Sequence, residues 1–118
     1  MGDISRNFSR SEFACQCGCG FATADIKLVH LLENIRSHFK TPITITSAAR
    51  CPEHNKVVGG VKTSKHLQGI ACDIQVESVK PYEVYCFVDG YAPNSCGVGF
   101  YESFTHIDVR KTKARWRG

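Results

Sequence analysis

The run Thr105-His106-Ile107-Asp108-Val109-Arg110 constrains the fold more than any other part of this chain. Its strict alternation assigns it to a β-strand, with His106, Asp108 and Arg110 on one face and Ile107 and Val109 on the other. The apolar face demands a hydrophobic layer beneath it. The polar face is costly in a protein of 118 residues unless its groups bind something. A chain of that length supports one core and one compact domain. Its 42% hydrophobic and 22% charged residues place it among ordinary globular proteins rather than disordered ones.

Ile26, Leu28, Leu31, Leu32, Ile35 and Phe39 recur at helical spacing and predict a helix over 24–39, closed by Pro42. His30 and His38 on that helix are expected at the surface or its boundary. Ser9-Arg10-Ser11-Glu12 reads as a capping box, flanked by Phe8 and Phe13 as a hydrophobic staple, so a short helix should start near residue 10. Residues 43–46 and 71–76 read as strands, and 81–89 as a helix stopped by Gly90. Two further strands, 97–101 and 105–110, are divided by a hairpin at Glu102-Ser103-Phe104. The stretch 47–69, with Pro52, Gly59, Gly60 and Gly69, is a long loop of the kind that usually carries function. This order predicts an α+β domain: a small, mainly antiparallel sheet with helices packed on one side.

The net charge of +4 is unevenly placed. Arg110, Lys111, Lys113, Arg115 and Arg117 hold five of the fifteen basic residues, and without them ten bases face eleven acids. The expected organisation is therefore a domain over 1–110 followed by a solvated basic tail over 111–118. One tryptophan among those bases, Trp116, is too little to predict nucleic-acid binding. No apolar run approaches the ~20 residues that cross a bilayer, so no membrane insertion is expected. The opening residues carry no apolar stretch like a signal peptide, which predicts synthesis in the cytoplasm without an export signal. The seven cysteines are accordingly expected to be reduced. Cys15, Cys17 and Cys19 alternate rather than keep the gap usual in structural zinc sites. Buried thiols in a Gly-rich turn are preferred there to a second, thiolate-bound metal.

The candidate chemistry centres on Ser64-Lys65-His66-Leu67-Gln68-Gly69-Ile70-Ala71-Cys72-Asp73 and on the late strand. If 71–76 pairs beside 105–110, Asp73 comes within reach of His106. His66, Asp73 and His106 then form a set of two imidazoles and a carboxylate, suited to zinc with a fourth position open. Iron or manganese would also accept such a set, and spacing alone equally allows a chance assembly. Zinc brings the pKa of water toward ~7. A carboxylate must still take the proton and pass it to a leaving amine, and Glu102 and Asp108 are the candidates. Arg50 is the candidate cation for a developing oxyanion.

The chain resembles the zinc D-Ala-D-Ala carboxypeptidase family, which also contains phage endolysin peptidases and the D,D-dipeptidases of vancomycin resistance. The resemblance rests on Ser64-x-His66-x-x-Gly69-x-Ala71-x-Asp73, on His106-Ile107-Asp108 and on Thr46-Ser47-Ala48-Ala49-Arg50-Cys51-Pro52-Glu53-His54-Asn55. The opening Phe13-Ala14-Cys15-Gln16-Cys17-Gly18-Cys19-Gly20 also looks like a single-domain, phage-type branch of that family. It implies a zinc peptidase acting on peptidoglycan stem peptides at the bacterial cell wall, in a phage or prophage lysis or tail context. By the same resemblance His66, Asp73 and His106 are the metal ligands, and Arg50 contacts the scissile carbonyl or a substrate carboxylate. Many members carry the catalytic acid three residues before the last histidine ligand, where this chain has Ser103. Glu102 is then preferred as base, with Asp108 in support. The segment around Tyr101-Glu102-Ser103 and His106-Ile107 also looks like the zinc site of hedgehog signalling domains. That likeness sets an alternative: a non-catalytic, zinc-containing cell-wall or tail-associated binding module. The sequence fixes neither the bond cut nor an oligomeric state.

Overall fold

The computed structural model describes residues 7, 8, 10–13, 25–47 and 70–118. Within them the chain is α+β, with two helices and a five-stranded sheet. A 3₁₀ turn, Arg10–Phe13, precedes helix α1, Ile26–Phe39. Strands β1, Ile43–Ser47, and β2, Ala71–Val76, come next, followed by helix α2, Pro81–Tyr91. Strands β3, Gly97–Phe100, β4, Thr105–Asp108, and β5, Ala114–Arg117, complete the sheet. The sheet order is β1-β2-β4-β3-β5, antiparallel throughout except for the parallel pair β3–β5.

Helix α1 starts where Asp25 accepts a hydrogen bond from the Lys27 N–H at 2.7 Å, satisfying one of the free donors of the first turn. Its apolar stripe of Leu28, Leu31, Leu32 and Ile35 is buried. Each such side chain contributes about 1.5–3 kcal/mol of transfer free energy. The helix ends at Lys40, which takes a left-handed conformation with φ 57° and donates its N–H to the Arg36 carbonyl. The stop is thus made two residues before Pro42, which follows as prolines often do after a helix end. His30 and His38 are exposed, and His38 stacks on Phe87. Phe8 and Phe13 are buried with ring centroids 6.4 Å apart, as a staple requires. Ser9 of the expected capping box lies outside the described residues.

One face of the sheet carries Ile43, Cys72, Ile74, Val76, Val98 and Ile107, which join Leu28, Leu32, Ile35, Val84 and Val88 of the helices in a single core. Both helices therefore pack on one side of the sheet, as the alternation in 105–108 demanded. The opposite face is left for chemistry. Helix α2 begins with Pro81 at its first turn and runs through Gly90 to Tyr91, past the expected stop.

The C-terminal segment corrects the expectation of a solvated tail. Residues 114–117 are strand β5, paired with β3 from Gly97↔Ala114 to Phe100↔Arg117. Arg115 is not solvated. Its guanidinium donates to the carbonyls of Ala92, Ser95, Cys96 and Ala114 at 2.7–3.2 Å, and to Asp89 at 2.7 Å. Through the carbonyl of Ala92, the C-cap residue, Arg115 ties the carboxyl end of α2 to β5. The free carbonyls and partial negative charge of a helix C-terminus favour such a cation. No helix among the described residues is long and apolar enough to cross a membrane.

Candidate functional site

Register builds the site. Asp73 of β2 and Gly99 of β3 lie opposite His106 of β4, while Ala71 and Gly97 lie opposite Asp108. Cross-strand neighbours share a face, so the face away from the helices presents Asp73, His106 and Asp108 among small residues. His106 is held from both ends of its imidazole. Nδ1 lies 2.9 Å from Asp73 Oδ1, and Nε2 lies 3.0 Å from Asp108 Oδ2.

Asp108 is fully buried and heavily committed. Its Oδ1 accepts from the Gly97 N–H at 3.0 Å, the Arg110 N–H at 3.2 Å and Arg110 Nε at 2.8 Å. Its Oδ2 meets Arg110 Nη2 at 2.7 Å besides His106. The two side-chain bonds from Arg110 form a bidentate fork, the strongest geometry for this pair. Burial opposes ionisation of Asp108, but the hydrogen bonds from His106 and Arg110 outweigh it and hold the carboxyl well below the usual carboxylate range. His106 moves the other way. Burial disfavours its charge, yet Asp108 and Asp73 raise it above the ordinary histidine value.

A wall of aromatic groups flanks the pair on the β3–β5 side. The Trp116 ring centroid is 5.1 Å from that of His106, and the Arg110 guanidinium sits 5.5 Å over the same indole. Trp116 Nε1 donates to the Tyr101 hydroxyl at 2.9 Å. Glycines make the room. A Cβ at Gly97 would overlap the Asp108 carboxylate, and one at Gly99 would overlap the pyrrole edge of Trp116.

Of the residues the sequence singled out, Asp73, His106 and Asp108 are brought together here. Glu102 is exposed in the turn between β3 and β4. That turn is closed by the Tyr101 N–H on the Phe104 carbonyl, and Gln75 Nε2 ties it to β2 by donating to the Ser103 carbonyl at 2.9 Å. Ser47 ends β1 opposite Asp73, where a bulge interrupts the ladder. His66, Arg50, Ser64, His54 and Cys15, Cys17 and Cys19 lie outside the described residues. Cys72, Cys86 and Cys96 are free thiols. Sequence reasoning missed Arg110 as the clamp on Asp108, and Gly97, Gly99, Tyr101 and Trp116 as the surroundings of His106. The signal for the glycines was present: Gly97-x-Gly99 repeats the two-residue period of His106-x-Asp108.

The donor chemistry fits a metal ion. A carboxylate oxygen and an imidazole nitrogen converge at 2.9 Å, and two donors of one tetrahedral zinc sit about 3.4 Å apart. A half-ångström opening would suffice. The far ring nitrogen rests on a buried carboxylate, the arrangement that fixes the tautomer of a metal-binding histidine. Among the described residues no group of three or more such donors assembles, and the third expected one, His66, is not among them.

The family described as Peptidase M15 matches residues 6–108 of the chain, a stretch that holds Asp73, His106, Asp108 and Glu102 but neither Arg110 nor Trp116. A comparison with curated proteins returned no match.

Proposed function

This chain belongs to the peptidase M15 family, and on that premise we propose that it is a zinc metallopeptidase hydrolysing peptide bonds in the stem peptides of bacterial peptidoglycan. The observation that carries the reading is the convergence of Asp73 Oδ1 and His106 Nδ1, with His106 Nε2 held on Asp108. Asp73 and His106, with His66 as third donor, are the residues that would hold zinc. When bound, zinc supplies the Lewis acidity that polarises a scissile carbonyl and brings deprotonation of water close to neutral pH.

The remaining work falls to the chain's own groups. Asp108 keeps the Nε2 proton of His106 in place, so that the Nδ1 lone pair is the one offered to a metal. With both oxygens occupied by Arg110, Gly97 and His106, Asp108 has little basicity left for proton abstraction. Glu102, exposed at the turn and without a hydrogen bond or ion pair among the described residues, is free to move. Its carboxylate takes the proton of the attacking water and delivers it to the leaving amine. Arg50 contacts the carbonyl oxygen as negative charge develops there, or a carboxylate of the substrate.

The bond cut is the terminal D-Ala-D-Ala linkage or an internal stem-peptide bond of the kind endolysins open, and the context is phage or prophage lysis or entry at the cell wall. The test is mass spectrometry of purified peptidoglycan fragments incubated with the zinc-loaded protein, beside His66→Ala and His106→Ala. A new product absent from both variants supports the reading, and its mass names the bond. No product from cross-linked or uncross-linked stems, with one zinc bound, overturns it in favour of a non-catalytic binding module.

A further inference from the structure

Strand β5 lies beyond the stretch 6–108 that carries the family match, yet it completes the polar face. Trp116 is opposite Gly99, which is itself opposite His106, so the indole crosses a strand that has no side chain at that point and reaches the imidazole. Four contacts fix it there. Its Nε1 donates to Tyr101, its ring lies at 46° to His106, Arg110 covers it, and the missing Cβ of Gly99 admits its pyrrole edge. The Tyr101 ring is placed in turn by Gly118, where a Cβ would overlap it, and by stacking on Phe104 at 4.4 Å.

Asp73 and Asp108 hold the two nitrogens of the His106 ring. The indole packs against that ring from the β5 side, tilted at 46° with centroids 5.1 Å apart. We propose that Trp116 is a positioning residue: it buttresses the His106 imidazole and shields the Asp108–Arg110 pair from water, so that Nδ1 stays directed at a metal shared with Asp73. This rests on the zinc reading above and extends it to a strand that reading does not use.

Trp116 is the sole tryptophan, so its emission reports on its own surroundings. Titrating zinc into the full chain should change that emission and saturate at one equivalent, with no change in His106→Ala. Zinc affinity, measured by chelator competition at low temperature where the variants are folded by circular dichroism, should weaken about 10–100-fold in Trp116→Ala, the range for groups that orient metal ligands. Trp116→Phe, which keeps a ring over Gly99, should restore most of the affinity. Gly99→Ala, which displaces the indole without altering any side chain of the site, should weaken it as Trp116→Ala does. Should Trp116→Ala fail to fold, Gly99→Ala and the emission titration decide. Parent-like zinc affinity in Trp116→Ala or Gly99→Ala, or silent emission while the parent binds zinc, overturns this inference alone. A parent that binds no zinc overturns it together with the proposed function.

Discussion

Replacing Asp108 by asparagine separates an orienting carboxylate from a catalytic base. The substitution is isosteric, but the amide must point its NH₂ toward donors already in place: the Gly97 N–H and Arg110 Nε on one side, Arg110 Nη2 and His106 Nε2 on the other. Donor then faces donor in a position that is fully buried. Removing one partner of a buried ion pair costs about 3–5 kcal/mol. The Arg110 side chain is 28% exposed, so part of its charge recovers hydration, and the expected loss is about 2–4 kcal/mol. For a chain of 118 residues the entropy of unfolding is about 0.25 kcal/mol per kelvin, so Tm should fall by about 8–16 °C. Zinc affinity should also weaken, by about 10–100-fold, because the histidine loses its anchor. Thermal unfolding followed by circular dichroism and zinc competition read these effects directly. An Asp108→Asn protein that melts with the parent, binds zinc as tightly and yet has lost turnover would make Asp108 the base and refute the orienting account.

Three further outcomes follow from the same geometry. Glu102→Gln should leave Tm and zinc affinity unchanged while lowering turnover about 10²–10⁴-fold, the range for loss of a general base; steady-state kinetics on the identified muropeptide product checks it. Arg115→Ala should cost about 2–3 kcal/mol, because charged hydrogen bonds to the Ala92, Ser95 and Cys96 carbonyls and to Asp89 are lost together; denaturant unfolding measures it. Lys40→Gly should stabilise the fold by about 0.5–1 kcal/mol, since a side chain is strained at φ 57° and glycine is not; a rise in the denaturant midpoint at constant slope is the expected sign.

The polar face of β4 was legible because alternation is a local signal. Once His106 and Asp108 share a face with an apolar layer behind them, a strand is the only solution, and the Ala71–Val76 strand was bounded correctly for the same reason. Pairing of 71–76 beside 105–110 was expected to bring Asp73 within reach of His106, and the ladder places them opposite one another. What the sequence concealed were interactions between distant segments. The bases of 110–117 looked like a solvated run because the carbonyls that Arg115 meets, those of Ala92 and Ser95, come from about twenty residues earlier. The same charges hid the alternation of Ala114 and Trp116 against Arg115 and Arg117. Helix α2 passes Gly90 and meets the Arg115 guanidinium at Ala92, a contact that propensity cannot foresee. Pro42 drew attention away from Lys40, whose backbone makes the actual turn.

The account stands on Asp73 and His106 sharing one metal ion. Zinc content of the purified parent, of Asp73→Ala and of His106→Ala, each shown to be folded, tests this most directly. One zinc per parent chain and loss of it in both variants is the predicted result. A parent without zinc, or variants that keep a full equivalent, would contradict it.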